Sequence, residues 1–363
     1  MDSTTTDESA PIAPPERRRP TARLPGWFVA CTAAALGERP VAATVQGVPL
    51  ALFRGPDGSP GALEDRCPHR NAPLSAGRVR GGELECGYHG WRFTPGGSCV
   101  AVPGLHGPPT ARATHATAVP CVEQDGLVWV APADPPPPAP PRRLPHLGAP
   151  RYTTVRNELT VRASLYRAVE NVLDVPHTAY LHGGLFRRPG AAQEIEVVVR
   201  RWRDRCEAEY LGEPRPPGLA GRLLAPRGGV VVHFDRFLLP CIAEVEYRLG
   251  ERSHLVATTA ATPLDDARTR LFSAVSFRLP VPGAAVAPLL APVARRILRQ
   301  DAWMLALQTD TVARFGGERF ASTEADVLGP QIVRLLRQAE QGAGAPARQD
   351  ERPEHEHRVR IRL

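Results

Sequence analysis

The chain has 363 residues, enough for two domains, and carries a formal net charge of +7 at pH 7. All 45 basic residues are arginine in a chain with 40 Pro and 32 Gly, so we read the surplus as coding bias rather than a nucleic-acid-binding face. No apolar run reaches the roughly 18 residues of a transmembrane helix, and the polar, acidic start differs from a secretory signal. We therefore expect a cytoplasmic protein with neither a membrane span nor a nucleic-acid partner.

The first half of the chain predicts a disordered tail, a small all-β domain and a linker. Residues 1–24 are polar and Pro-rich, which predicts disorder. Residues 25–131 contain short β-prone runs separated by Gly and Pro, as at 41–45, 49–53 and 126–130, and this pattern is typical of an all-β domain. Residues 132–150 hold a Pro-rich tract and predict a stiff, extended linker.

Within the all-β domain, two short motifs, each a Cys followed closely by a His, predict an iron–sulfur site. Cys67 and His69 form the first pair, and Cys86 and His89 form the second. A Rieske [2Fe–2S] cluster needs this ligand set, because two thiolates hold one iron and two imidazoles hold the other. A structural zinc site also uses two Cys and two His, but zinc fingers group Cys with Cys and His with His, whereas this order interleaves them.

The flanking residues of these motifs, CPHRNAPL and CGYHGW, resemble the Rieske family. The resemblance implies that Cys67, His69, Cys86 and His89 bind the [2Fe–2S] cluster on two facing loops.

Residues 151–342 predict a second domain that contains an antiparallel sheet and helices, so the fold class is α+β. The predicted strands are 194–200, 230–234, 243–247, 255–259 and 271–277, and the predicted helices are 291–314 and 323–340. We expect the loop at 215–228 and the helix at 284–299 to form walls of a pocket. Residues 343–363 are charged and predict a flexible tail.

A second metal motif opens this domain, where Asp174, His177 and His182 follow Glu170. Two His and one carboxylate on one face of a metal form the facial triad of non-haem Fe(II) oxygenases, which leaves positions open for O2. The two histidines are five residues apart, so an unbroken helix would turn them away from each other. Pro176 lies between them and predicts the required irregularity.

The Asp-x2-His-x4-His spacing, together with the cluster motif, resembles the Rieske ring-hydroxylating oxygenases over residues 25–340. The resemblance implies a helix-grip catalytic domain in a homotrimer, with His177 and His182 as ligands of a mononuclear iron. It implies that Asp174 bridges the iron site and the cluster of a neighbouring subunit. For the third ligand, Asp301 fits best, and Asp310 is the alternative. Glu170 either orients the ligands or is an ordinary exposed helical residue.

The same resemblance implies an oxygenase that uses O2 and external electrons to hydroxylate, demethylate or cleave a bulky apolar or aromatic substrate. The electrons would come from NAD(P)H through a separate reductase, with or without a ferredoxin, since no G-x-G-x-x-G fingerprint is present. Residues 181–187 resemble the branch that contains pheophorbide a oxygenase-like enzymes. The alternatives are a cis-dihydroxylating dioxygenase subunit and a Rieske electron-transfer protein without oxygenase activity.

Overall fold

The computed structural model describes residues 23–183, 193–213, 231–342 and 351–362. The first domain is built from three small antiparallel sheets, with strand orders β1-β10-β9, β2-β3-β4 and β5-β6-β7-β8. Its strands are β1 (Phe28–Thr32), β2 (Val41–Val45), β3 (Val48–Arg54), β4 (Pro60–Glu64), β5 (Arg78–Arg80), β6 (Glu83–Glu85), β7 (Arg92–Phe93), β8 (Cys99–Ala101), β9 (Cys121–Gln124) and β10 (Leu127–Val130). Single 3-10 turns lie at Ala33–Ala35, Leu74–Ala76 and Arg112–Thr114. The expected all-β architecture is confirmed.

The described part of the second domain contains an eight-stranded antiparallel sheet and three α-helices. Its strand order is β11-β17-β16-β15-β14-β13-β12-β18. The strands are β11 (Thr153–Val161), β12 (Glu194–Arg201), β13 (Arg205–Leu211), β14 (Val231–Leu238), β15 (Ile242–Leu249), β16 (Ser253–Asp265), β17 (Arg268–Arg278) and β18 (His355–Arg362). The helices are α1 (Leu165–Leu173), α2 (Gly283–Arg314) and α3 (Gly329–Glu340), and a 3-10 turn at Pro176–Ala179 follows α1. This architecture agrees with the predicted α+β class.

The two faces of the large sheet differ because side chains alternate along each strand. In β13, Cys206, Ala208 and Tyr210 are buried on the face that carries α1, while Glu207 and Glu209 lie on the other face. That outer face carries ion pairs between neighbouring strands, such as Glu207 with Arg236 at 2.6 Å. The apolar face therefore forms the core of the domain and positions the helices that carry the metal motif.

The hairpin between β2 and β3 joins the two domains. Gln46 and Gly47 both have positive φ, as a two-residue type I′ turn requires. Their N–H groups donate to the carbonyls of Pro263 and Leu264 in the large sheet, at 2.7 and 2.9 Å. Thr262 adds a hydroxyl hydrogen bond to the carbonyl of Val29 at 2.8 Å. Buried apolar residues from both domains, including Val45 and Val48 of this hairpin, join in one cluster, while a separate small cluster underlies the Cys and His loops of the first domain.

Two expectations about the chain ends are wrong. Residues 355–362 do not form a flexible tail, since they pair with β12 along their whole length as strand β18. The charges that suggested a loose segment alternate with Val359 and Ile361, which face the core. Leu24, placed in the disordered tail, is buried, and its N–H donates to Gln46 Oε1 at 2.7 Å.

Both later helices differ in length from their predictions. Helix α2 begins at Gly283, eight residues before the start at 291 that the periodicity predicts and one residue before the helix 284–299 expected as a pocket wall, and it contains Pro288 and Pro292. Those prolines lack the N–H that continues a helix, which is why the sequence pattern pointed to a later start. Helix α3 begins at Gly329, six residues after the predicted start at 323, with Pro330 in its first turn.

Candidate metal centres

The two loops that carry the Cys and His pairs have the same backbone hydrogen bonds. In the first, the Cys67 N–H donates to the Ala72 carbonyl, and the Asn71 N–H donates to the Cys67 carbonyl. In the second, the Cys86 N–H donates to the Trp91 carbonyl, and the Gly90 N–H donates to the Cys86 carbonyl. Asn71 and Gly90 occupy equivalent positions, and both have positive φ. The two loops therefore share one pattern of backbone hydrogen bonds, although His69 follows its Cys by two residues and His89 follows its Cys by three.

The side chains of these loops meet in a small apolar cluster at the domain surface. Cys67 and Cys86 are buried, and the rings of His69 and His89 lie 4.5 Å apart between centroids. The His69 ring stacks on Trp91 at 4.6 Å, which fixes its plane. The His89 side chain is exposed, so one edge of this site faces solvent.

A [2Fe–2S] cluster fits these four residues. His69 Nδ1 is buried and has no hydrogen-bond partner, as expected of an atom placed to bind metal. Burial, reinforced by the neighbouring Cys86 thiol, raises the pKa of Cys67 to about 11, so a bound metal must displace the proton. Two thiols and two imidazoles on facing loops provide the donor set of a two-iron cluster in which the thiolates hold one iron and the imidazoles hold the other.

The helix that carries the second motif ends where the ligand spacing requires it to end. Asp174 follows the last residue of α1 with an extended backbone conformation, at φ −85° and ψ 102°. The chain then enters the 3-10 turn with Pro176 at its first position. This break turns His177 and His182 toward each other, as predicted, and their Nε2 atoms lie 3.3 Å apart.

A carboxylate from α2 completes the group. Asp301 Oδ1 lies 3.0 Å from His182 Nε2 and 3.5 Å from His177 Nε2. This oxygen is buried and accepts no hydrogen bond, although two imidazole nitrogens lie close to it. The three ligand atoms lie within 4.8 Å of one another, so the donor set fits one metal ion bound by two His and one carboxylate.

The alternative carboxylate, Asp310, lies elsewhere. Its oxygens form an exposed ion pair with Arg162, at 2.5 Å between Oδ1 and the nearer guanidinium nitrogen. Asp301 and Asp310 are nine residues apart on α2, and the structure brings Asp301, not Asp310, to the two histidines.

The outer nitrogen of each imidazole is held by an oxygen atom. His177 Nδ1 contacts the main-chain carbonyl of Asp174 and lies 3.4 Å from the Asp174 carboxylate. His182 Nδ1 lies 3.0 Å from Gln300 Oε1. When Nδ1 donates to these oxygens, each Nε2 keeps its lone pair directed at the shared position. Asp174 therefore lies beside His177, one of the two predicted ligand histidines.

Sequence reasoning gave no role to Gln300, although it precedes Asp301 directly. We expect Gln300→Leu to lower the affinity for the mononuclear iron by roughly 10- to 100-fold, because the His182 ring loses its orienting acceptor. Iron retention against a graded chelator series measures this. Gln308→Leu is the matched control, since that side chain is exposed on the same helix. Equal iron retention in both variants would contradict the orienting role.

The site is electrostatically negative before a metal binds. Burial lowers the pKa of His177, but the neighbouring carboxylates of Asp174 and Asp301 outweigh this effect and raise it to about 9. Burial and the charge of Asp174 raise the pKa of Glu170 to about 7. Glu170 is half-buried and lines a narrow pocket with Asp174 and Asp326, so it is not the exposed helical residue considered as one alternative. This surplus of carboxylates suits a divalent cation.

A third polar cluster lies in the core of the second domain. His233 is fully buried on β14, between the rings of Tyr210 at 4.3 Å and Tyr247 at 4.1 Å. Its Nδ1 lies 2.6 Å from Glu213, and its Nε2 lies 3.0 Å from Asp235. Sequence reasoning assigned no role to this cluster, although the alternation of β14 already places His233 and Asp235 on one face.

This cluster predicts an alkaline loss of stability. Burial lowers the pKa of His233, but Asp235 and Glu213 outweigh it and raise the pKa to about 9, above the usual 6.5. The protonated His233 therefore stabilises the folded protein. This stabilisation is fully present below pH 6.5 and is lost as the pH rises through 9. We expect His233→Gln to lower the free energy of unfolding relative to wild type. This loss should be about 2 kcal/mol larger at pH 6.5 than at pH 9. Denaturant titrations measure this.

A matched control separates this effect from general alkaline unfolding. His106→Gln changes an exposed histidine, and its difference from wild type should stay flat across the same pH range. A flat difference for His233→Gln as well would show that the histidine is neutral in the folded protein.

Two predicted features fall outside the described residues. The expected pocket wall at 215–228 is one of them. The segment 181–187, which carried the likeness to pheophorbide a oxygenase-like enzymes, is described only as far as residue 183.

Comparisons with known proteins match both halves of the chain. The Rieske [2Fe-2S] domain model matches residues 26–122, and the model of the vanillate O-demethylase oxygenase C-terminal domain matches residues 161–341. The oxygenase component of dicamba O-demethylase from Stenotrophomonas maltophilia is 41% identical over 159 residues, 43% of this chain and 46% of that protein. The 4beta-methylsterol monooxygenase of Methylococcus capsulatus is 33% identical over 212 residues, 56% of this chain and 55% of that protein.

The likeness extends to the whole fold. The crystal structure of dicamba monooxygenase bound to dicamba has a TM-score of 0.76 at 26% identity, covering 87% of this chain and 97% of that one. The sequence matches cover about half the length of the two curated relatives. Among the described helices, none is long and apolar enough to cross a membrane. With a Rieske domain, an oxygenase C-terminal domain and the shared architecture, the chain belongs to the Rieske-type non-haem iron oxygenases.

Proposed function

We propose that this protein is a monooxygenase that hydroxylates or demethylates an aromatic or bulky apolar substrate. In such a reaction one oxygen atom of O2 enters the substrate and the other leaves as water, with two electrons and two protons supplied from outside. The observation that carries the proposal is the convergence of His177, His182 and Asp301 in a chain that also carries the cluster loops. The names of the relatives, an O-demethylase and a monooxygenase, support this reaction over cis-dihydroxylation.

The residues divide into two metal-binding sets with different tasks. Cys67, His69, Cys86 and His89 would hold the [2Fe–2S] cluster, which accepts and passes single electrons. His177, His182 and Asp301 would hold a mononuclear Fe(II), which supplies O2 activation next to the substrate. Three protein ligands on one side leave room for both O2 and substrate.

The surrounding side chains keep this geometry fixed. The main-chain carbonyl of Asp174 and the side-chain oxygen of Gln300 hold the outer nitrogens of the two imidazoles, which fixes the orientation of both rings. Asp174 also lies half-buried at the mouth of a narrow pocket. We assign to it the role of bridge to the exposed His89 edge of a Rieske domain, which places the two centres on neighbouring subunits of a homotrimer.

Electrons then have to come from a separate protein. The name of the dicamba relative, an oxygenase component, supports a multicomponent system with a reductase, with or without a ferredoxin. We propose NAD(P)H as the electron source of that reductase. A cytoplasmic location suits these soluble redox partners.

Product analysis tests the proposal against its two alternatives. The iron-loaded protein, chemically reduced and mixed with ¹⁸O2 and a panel of substrates, should give hydroxylated methylsterols or arenes with one ¹⁸O atom, and should convert methoxy-aromatics to the unlabelled phenol and one equivalent of formaldehyde. A product with two ¹⁸O atoms and cis-diol stereochemistry would identify a dioxygenase instead. Cluster reoxidation with no oxygenated product on any member of the panel would identify an electron-transfer protein.

A further inference from the structure

The two loops that carry the candidate cluster ligands differ in charge. In the first loop, Arg66 and Arg70 directly flank the Cys and the His, and both arginines are exposed. The second loop, residues 86–91, contains no Asp, Glu, Lys or Arg. No acidic residue occurs at 66–82 or at 86–122. The exposed charge beside the cluster site is therefore positive and belongs to the first loop.

These two arginines have no carboxylate partner in the part of the chain that the structure describes. Arg78, on the strand that follows the first loop, lies 2.5 Å from Glu85 and is compensated in this way. Arg66 instead donates from Nε to Asn71 Oδ1 at 2.7 Å, which holds its guanidinium group against the loop. Arg66 and Arg70 thus place two uncompensated positive charges next to the cluster ligands.

The second loop presents apolar surface in place of charge. Tyr88 is 65% exposed, and its ring lies 3.8 Å from the ring of His89 between centroids. Leu105 is also exposed, in a segment that packs on Gly90, since a Cβ there would lie 3.0 Å from Pro103. Permanent subunit contacts are more apolar than transient ones. The second loop therefore suits the contact with a neighbouring subunit that we assigned to its His89 edge.

The exposed charge of the first loop suits a partner that binds only briefly. Complementary charge raises the rate of encounter between two proteins and matters less for the lifetime of their complex. An electron carrier has to bind and leave again for every electron that it delivers, and electron-transfer complexes have small interfaces. Two unpaired arginines beside the cluster site would steer such a carrier if its own surface were acidic.

We infer that Arg66 and Arg70 form the docking site of an acidic electron-carrier protein. One electron passes from the carrier, which is oxidised, to the [2Fe–2S] cluster, which is reduced, and no bond forms or breaks. This inference rests on the proposed function, because it names the surface and the charge of the electron donor for that function. The two loops then have separate tasks, with the first facing the donor and the second facing the neighbouring subunit.

The carboxylates of a neighbouring subunit could instead pair with the two arginines. Glu170, Asp174 and Asp326 line one narrow pocket beside the candidate iron site, and their charge is also complementary. In that case both arginines would be part of a permanent contact, and their removal would weaken the oligomer.

Binding of a protein probe tests the inference. The probe is an acidic plant-type [2Fe–2S] ferredoxin, titrated in its oxidised form into the cluster- and iron-loaded protein at low ionic strength. The double variant Arg66→Ala/Arg70→Ala should bind it roughly tenfold more weakly, and about 1 M salt should remove the difference by screening exposed charges. The double variant Arg66→Lys/Arg70→Lys should restore most of the affinity, because the charge is kept. The rate at which reduced ferredoxin bleaches the cluster should change in parallel.

Two controls separate docking from other effects. Arg39→Ala removes an exposed arginine of the same domain outside the cluster loops, and its ferredoxin affinity should match wild type. Reduction of the cluster by the methyl viologen radical, a small cation, should not slow in either arginine variant, because no positive charge is needed to attract it.

Ferredoxin affinity that is unchanged in the double alanine variant, or an equal loss in Arg39→Ala, would overturn the inference. So would a double alanine variant that dissociates into smaller oligomers, since this would place the arginines in the subunit contact. Arginine-dependent ferredoxin binding without any oxygenated product would refute the proposed function and leave the docking site standing.

Discussion

Replacing Asp301 with alanine is expected to release the mononuclear iron and leave the [2Fe–2S] cluster in place. The iron content should fall from about three atoms per chain to about two, with sulfide unchanged. Turnover should fall by more than about a thousandfold, because two imidazoles alone cannot hold the ion in the geometry that O2 activation needs. The expectation follows from the position of Asp301 Oδ1, which lies 3.0 and 3.5 Å from the two Nε2 atoms and accepts no hydrogen bond.

Asp310→Ala is the control for this variant. It removes the same functional group from the same helix, but it breaks only the exposed pair with Arg162. Its iron content and turnover should match wild type. Loss of iron in Asp310→Ala with retention in Asp301→Ala would reverse the ligand assignment.

Asp174→Asn is expected to keep all iron and still slow turnover by roughly a hundredfold. The metal should stay because the main-chain carbonyl of Asp174, which the substitution leaves unchanged, still contacts His177 Nδ1. The rate should fall because the neutral amide replaces the carboxylate proposed to connect the two centres. A single-turnover experiment measures electron transfer between the centres directly. The reduced protein is mixed with substrate and O2, and the visible absorbance of the cluster reports its reoxidation.

Asp326→Asn is the control, because it removes a negative charge from the same narrow pocket without touching His177. It shows whether the loss of local charge alone slows the reaction. Its reoxidation rate should stay within about twofold of wild type. Reoxidation at the wild-type rate in Asp174→Asn would refute the bridge. Loss of iron in that variant would instead show that the carboxylate helps to hold the ligand histidine.

The local parts of both sites could be predicted from the sequence because their geometry depends on short spacing. Each cluster loop closes on itself within five residues, as between Cys67 and Ala72 and between Cys86 and Trp91. The break at Asp174 was also predictable, since Pro176 has no N–H to continue the hydrogen bonds of a helix and so favours an irregularity.

Asp301 is a different case, because it lies more than a hundred residues from His182 in the chain. Periodicity and spacing cannot bring such residues together, and the family resemblance supplied that expectation.

The features that sequence reasoning missed depend on long-range pairing. Strand β18 was read as loose because half of its residues are charged, and only its pairing with β12 shows that Val359 and Ile361 face the core. His233 binds Glu213 from the preceding strand connection, a contact that no local pattern indicates. Gln300 looked like an ordinary helix-surface residue until the fold placed its Oε1 beside His182 Nδ1.

The measurement that tests the central claim most directly is the iron and acid-labile sulfide content of the anaerobically purified chain. Two metal centres of different kinds predict about three irons and two sulfides per chain, together with the visible spectrum of a Rieske cluster that dithionite bleaches. Zinc in place of iron, with no sulfide and no dithionite response, would contradict the account. Two irons with two sulfides, unchanged after anaerobic Fe(II) reconstitution, would contradict the mononuclear site at His177, His182 and Asp301.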